Sequence, residues 1–338
     1  MADPHTEQQP TGKPIWNYHP TLPVACAPVW NWPPDPGGLL RWYAKSWLTL
    51  SVAPCILLLA VAMWWLLLAP LSSYQYLELG SLVQTHLRNL CLMIVVAGGL
   101  HLYFYTFNRQ GTVLKFDPRR FEKNHPRFTF NNQVLDNAFW TLVSGVTFWT
   151  AYEAMMLWAY ANGAMPLLYW HDSPVRFVLL FPLLVLWHEL HFYFVHRLMH
   201  WPPLYRIAHA VHHRNSDTGP WSGISMHPYE HFIYFTSLLV HLVLPTHPVH
   251  LLFHLYWVAL APALSHSGFC GIVIKGRMRF ATGSFFHQLH HRHFECNYAT
   301  SNVPVDIWVG SFHDGTSEGD AYIQERRRNK RAAVTNHE

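Results

Sequence analysis

At 338 residues, with 51% apolar, 16% aromatic and only 12% charged side chains, the chain is long enough for one sizeable domain and too apolar for an ordinary soluble enzyme. A formal net charge of +4 without a basic stripe gives nucleic-acid binding no support, and five cysteines without CxxC spacing argue against a disulfide scaffold. An integral membrane protein is the class that remains.

Residues 1–45 are rich in Pro and Trp ("PTLPVACAPVWNWPPDPGG") and hold no apolar run of signal-peptide character, so they read as an irregular arm against the protein or the membrane surface. Residues 46–71 carry no charge and predict a first span, because about 20 apolar residues cross a bilayer. Residues 90–107, 138–162 and 177–196 predict three more. The third contains Glu153 and the fourth ends in histidines, so both are expected to turn polar positions inward, away from lipid. Residues 232–264 hold two half-length apolar runs split by Pro245 and Pro248, which predicts a helical hairpin dipping into the membrane or two short spans. The expected fold is all-α: a membrane helical bundle of about four spans plus a hairpin, with a histidine-rich helical cap. Residues 46–310 form its single domain and the basic segment 311–338 its tail.

Short-loop charge gives an orientation. Residues 108–137 hold Arg109, Lys115, Arg119, Arg120, Lys123 and Arg127, whereas 72–87 and 162–175 hold neither Lys nor Arg. The positive-inside rule then places both termini and the 108–137 loop in the cytosol, and an even number of spans brings the histidine-rich segments to the same side.

Of 26 histidines, 18 fall between His188 and His293. Three clusters stand out: "HRLMH" (His196, His200), "HAVHH" (His209, His212, His213) and "HQLHH" (His287, His290, His291). On a helix, positions i, i+3 and i+4 share a face, so their imidazoles can converge on one point. "WPP" breaks the fourth helix after His200, and a new helix from about Leu204 is expected to present the second trio back to the first. Eight imidazoles exceed what one tetrahedral ion accepts, which implies two ions in a shared cage. Imidazole suits iron, zinc, copper or nickel, and the spacing does not choose among them. A lone HxxxH, as in His250 and His254, reads instead as structural. Glu189, Asp217, Glu230, Glu295 and Asp306 are candidates to take the outer N–H of a ligand and fix its tautomer.

The order "HELHFYFVHRLMH", "HAVHH", "HPYE", "SHSG" and "HQLHHRHFECNYA", over about residues 186–310, resembles the membrane-bound fatty acid hydroxylase and sterol desaturase superfamily, and its sterol desaturase-like branch most. The resemblance implies a dinuclear iron centre that activates dioxygen, held by His196, His200, His209, His212, His213, His287, His290 and His291, with His266 of "SHSG" as a ninth ligand. It leaves His227 of "HPYE" open as ligand or pocket residue, and places Glu189, His293, Asn297 and Asp306 around the ligands. His188 and His191 are expected to pack within the bundle. The implied reaction is hydroxylation or desaturation of a sterol, carotenoid, hopanoid-like lipid or fatty acyl chain, with iron the working metal even where zinc is found after purification. Trp187, Tyr193, Phe194, Trp221, Phe285 and Phe286 are candidates to wall the substrate slot.

No fused haem or flavin module is visible, so electrons must come from an external carrier of the cytochrome b5 or ferredoxin type, for which the basic loop and tail offer docking charge, although anionic lipid headgroups explain those charges equally well. The membrane is then a bacterial inner membrane or the endoplasmic reticulum. The competing readings are a histidine-lined metal transporter, which requires ligands strung across the bilayer, and a dinuclear zinc hydrolase on the same cage.

Overall fold

The computed structural model describes residues 16–66 and 69–335, with side chains through Asn329. Residues 1–15 of the expected arm, Leu67 and Leu68 of the first expected span, and the end of the expected tail lie outside that description. Helix α1 (Pro36–Leu48) bends by 41° into α2 (Val52–Leu66), so the first expected span is broken rather than straight. The cause is local: Thr49 is extended, and the Thr49 and Ser51 hydroxyls donate to the carbonyls of Lys45 and Ser46, offering the backbone an alternative to the helical ladder. Helix α3 (Leu79–Thr106) begins earlier than its apolar run, and α4 runs over residues 133–161 with one wide stretch at Trp140–Gly145. Helix α5 (Pro174–Met199) is the expected fourth span.

The expected hairpin or pair of short spans is two helical runs of unequal length, separated at Val243–His247. A short α6 (Pro228–Tyr234) continues into a 3-10 segment, Phe235–Leu242, and the chain restarts at α7 (Pro248–Ser265), a full 18-residue helix. Pro248 sits at its first turn, where a missing N–H costs nothing, so the proline starts a helix instead of splitting one. Helices α3, α5 and α7 are each long and apolar enough to cross a membrane, and α1 with α2 makes a bent fourth. Helix α4 does not reach that apolarity, being rich in Trp, Tyr and Thr; it carries Glu153, which pairs with Arg88 of α3 and accepts from Asn89 Nδ2 at 2.9 Å inside the bundle. Central α7 packs on α2, α4 and α5, and its side chains are almost wholly buried.

Strands β1 (Gly271–Ile274) and β2 (Arg277–Ala281) form a hairpin that an all-α expectation missed. Lys275 and Gly276 both adopt positive φ, 51° and 71°, which is the turn that matches strand twist. Helix α8 (Phe285–His293) follows, and α9 (Ser317–Thr335) closes the chain. The N-terminal arm lies against this end of the protein: Val24 N–H donates to Asp314 O, Ala27 N–H to Ser301 O and Trp30 Nε1 to Asn302 O. The basic loop between α3 and α4 covers the same end, where Arg292 of α8 meets Asp117 at 3.0 Å.

Candidate metal centre

Each histidine segment reaches this end of the bundle by a different route. His196 lies in the last turn of α5 and His200 caps it; His266 caps α7; His287, His290 and His291 ride on α8. The second trio is not on one regular helix. Pro202 and Pro203 restart the chain, a wide turn carries His209, and a 3-10 turn carries His212 and His213.

The structure brings these nine rings together in two adjoining groups. His196, His200, His209, His213 and His290 form one, and His212, His266, His287 and His291 the other, with one nitrogen from each ring within 4.8 Å of the rest of its group. Both HxxHH trios divide in the same way: the first and last histidine, i and i+4, share a group, and the histidine at i+3 joins the neighbouring one. One trio thus serves two centres, because i+3 and i+4 point about 100° apart around the axis.

The outer nitrogens are held. His196 Nδ1 donates to Tyr298 O at 2.7 Å, His290 Nδ1 to Cys296 O at 2.6 Å, His266 Nδ1 to Pro262 O at 2.9 Å, and His209 Nδ1 meets Glu230 Oε1 at 2.7 Å. Their protons lie on Nδ1, so each turns an Nε2 lone pair inward. In the first group, Nε2 of His200 lies 3.1 Å from His213, 3.2 Å from His290 and 3.2 Å from His209, and His290 lies 3.0 Å from His213. Four contacts have at most two protons to share, since His209 and His290 already carry theirs outside. In the second group, His266, His287 and His291 form a triangle of 3.0, 3.2 and 3.1 Å with one Nε2 proton too few. His196 Nε2 is buried with no hydrogen-bond partner.

The contacts among these Nε2 atoms therefore have too few protons to all be hydrogen bonds, an arrangement that a cation between them would satisfy. Imidazole nitrogens bound about 2.1 Å from one ion sit roughly 3.0 to 3.4 Å apart for right-angled to tetrahedral arrangements, which is the spacing present. Burial holds the His212 imidazole down, at about 4, and burial with the neighbouring rings holds His213 well below the ordinary range. Both are neutral at pH 7 and offer a lone pair.

A cavity of about 210 Å³ opens beside the groups. Its walls run from Val52, Trp257 and Ala261 among the membrane helices, past Phe192 and Met226, to His196, His212 and His287. None of the six aromatics expected at the slot lines it; Phe192, Tyr234 and Trp257 do. Helical phase is the reason: Trp187 and Phe194, seven apart on α5, share an outward face and are 40% and 66% exposed, whereas His188, Phe192 and His196 share the inner one.

Other expected residues lie as follows. His227 belongs to neither group; it caps α6, accepts from Tyr229 N–H at 3.3 Å and packs on Trp140. Glu189 lines the cavity, but its oxygens accept from Thr300 Oγ1 and Asn302 Nδ2 at 2.9 and 2.8 Å rather than from an imidazole. His293 lies outside both groups, 3.4 Å from Asp320 Oδ1, its ring tilted against that of His313 at 4.7 Å. Asn297 and Asp306 act through the backbone. Asp306 accepts from Tyr298 N–H, Ala299 N–H and Ser311 Oγ, and Asn297 ties the same turn to Phe286 O and His313 O. That turn supplies the Cys296 and Tyr298 carbonyls that hold His290 and His196. Of the five candidate acids, Glu230 makes the direct contact with an imidazole; "HPYE" carried that signal. The carbonyl acceptors had none, since every residue has a carbonyl.

Residues 181–311 match the family model described as fatty acid hydroxylase. That stretch contains all nine converging histidines. Over that stretch the chain is similar to the fatty acid hydroxylase and sterol desaturase superfamily. Among the relatives it matches, the Delta(7)-sterol 5(6)-desaturase of Saccharomyces cerevisiae is 26% identical over 65% of this chain and 59% of its own length. A second Delta(7)-sterol 5(6)-desaturase, from Gibberella zeae, is 31% identical over 38% of this chain and 40% of its own. The methylsterol monooxygenase of Aspergillus fumigatus is 31% identical over 36% and 43%. The chain thus spans less than two thirds of the length of the relatives it matches, and no solved structure matches it.

Proposed function

We propose that the chain is a membrane-bound, dioxygen-dependent lipid hydroxylase or desaturase whose two histidine groups hold a pair of iron ions. The observation that carries this reading is the set of inward Nε2 atoms, 3.0 to 3.2 Å apart, at the end of a cavity that opens among apolar membrane helices. Bound there, iron supplies the redox chemistry that lets dioxygen oxidise an unactivated C–H bond.

The residues of the chain do the rest. His196, His200, His209, His213 and His290 hold one ion, and His212, His266, His287 and His291 the other. Glu230 and the carbonyls of Cys296, Tyr298 and Pro262 keep the imidazole tautomers fixed. Phe192, Met226, Tyr234 and Trp257 exclude water and orient an apolar substrate beneath the groups. A lipid entering from the bilayer meets the site without crossing water, and the sterol-acting names of the relatives support a sterol or similarly rigid lipid. Electrons reach the other side of the site from an external one-electron carrier, for which the basic loop 108–132 and α9 offer docking charge. Positive-inside asymmetry supports a cytosolic site and cytosolic termini.

A metal-transport reading fits less well. The converging groups adjoin at one end of the bundle, and His241 and His250 deeper inside already spend both ring nitrogens on protein partners. Lipid profiles of a host with and without the gene test the proposal, with His212→Ala alongside. An oxidised lipid made with the wild-type gene and missing with His212→Ala supports it. A product that persists undiminished in the variant contradicts it.

A further inference from the structure

A second set of polar groups runs through the bundle beneath the cap, and nothing above uses it. Tyr160 Oη at the end of α4 lies 2.6 Å from Thr246 Oγ1, Thr246 Oγ1 lies 2.8 Å from His241 Nδ1, and His241 Nε2 lies 3.1 Å from His254 Nδ1. All four side chains are buried. His254 Nε2 has no protein partner, and its ring stands 5.9 Å from that of His188, a wall residue of the cavity. Titratable side chains inside a membrane bundle are seldom there for packing alone.

The contacts have a preferred polarity. If Tyr160 donates to Thr246, Thr246 to His241 Nδ1 and His241 Nε2–H to His254 Nδ1, every contact has its proton and only His254 Nε2–H is left unmet, beside His188. The reverse polarity strands two groups, the Tyr160 hydroxyl proton and the His254 Nε2 lone pair. Position along the helices gives the path its ends. Thr246 precedes the first turn of α7, whose far end is His266, and Tyr160 closes α4, whose opposite end lies by the cap at Asn137 and Asn215. At about 1.5 Å per residue, His188 sits roughly 12 Å below His196 along α5.

We infer that Tyr160, Thr246, His241 and His254 form a proton path from the end of the bundle opposite the cap to His188 at the floor of the cavity. The inference rests on the oxygenase reading for its purpose. Hydroxylation of R–H consumes one dioxygen, two electrons and two protons and yields R–OH and one water; the external carrier supplies the electrons, and this path supplies the protons to a cavity that admits little water. Each hydroxyl or imidazole takes a proton on one atom and releases one from another, so no charge is stranded in the bundle. A single water closes the step from His254 Nε2 to His188.

Thr246→Val keeps the shape and removes the relaying hydroxyl; His241→Gln removes the double-ended ring. In both, product formed per electron consumed falls about tenfold, the reduced dioxygen escaping as hydroperoxide that takes its protons from bulk solvent, while metal content holds and Tm falls only as far as the lost buried hydrogen bonds require. A second readout needs no metal: deuterium exchange at the His254 ring N–H of metal-free, nitrogen-15-labelled protein in detergent, followed by NMR, slows about tenfold in Thr246→Val. Unchanged exchange together with unchanged product yield overturns the path and leaves a purely structural network. Should the wild-type protein oxidise no lipid, the oxygenase reading fails, and the exchange measurement still decides the path.

Discussion

Nine histidines at the cap and those buried inside the bundle, His188, His241, His250 and His254 among them, are the same residue in two chemical situations. At the cap, the outer nitrogens of His196, His209, His266 and His290 are tied to carbonyls or a carboxylate, and the inner ones face one another with too few protons to pair. In the bundle, His250 accepts from His247 N–H and donates to Phe177 O at 2.8 Å, and His241 bridges Thr246 and His254. His250 and His254 repeat the HxxxH spacing of His196 and His200, yet their rings have other partners. Spacing brings imidazoles to one face; what the second nitrogen does decides whether the first is free to bind an ion.

The comparison can be broken from the cap side first. Replacing His290 by Ala removes one of the five ring nitrogens of the first group; bound metal, measured by elemental analysis, falls by about one ion per chain and lipid oxidation falls by more than about a hundredfold. Acidification acts in the same direction. The His212 and His213 imidazoles are held below their unfolded values, so the stability they contribute is present above about pH 6.5 and is lost as pH falls, because the unfolded chain binds protons that the folded one refuses. Metal release followed by titration is expected between about pH 6.5 and 4, and a site that retains its metal throughout that window contradicts this account.

Smaller effects sharpen the boundary. Glu230→Gln keeps an acceptor for His209 Nδ1 but removes its charge, and weakens metal affinity by about tenfold in a chelator competition. His250→Leu leaves metal content unchanged and lowers stability by about 1 to 3 kcal/mol, seen as a reduced Tm, because Phe177 O loses its donor. Metal loss in His250→Leu would erase the distinction between the two histidine populations.

Much of this was legible in the sequence. Uncharged runs announced a membrane bundle, and the three clusters with "SHSG" named the nine histidines that converge. The split of each HxxHH trio between two groups was not legible, because it depends on how two irregular turns and α8 are turned toward each other. Pro245 and Pro248 do separate two helical runs, but that Pro248 opens a full 18-residue helix was not legible, since proline starts a helix as readily as it interrupts one. Glu189 was expected near an imidazole, and the Thr300–Asn302 turn captured it instead, through contacts more than a hundred residues distant in sequence. The polar network from Tyr160 to His254 joins α4, the 3-10 segment and α7, and no local pattern in any one of them marks it.

The most direct test is to locate the ions. Anomalous difference maps from crystals of iron-loaded protein are predicted to show two peaks in each chain, one enclosed by His196, His200, His209, His213 and His290 and the other by His212, His266, His287 and His291. A single peak, or peaks away from these rings, contradicts the account.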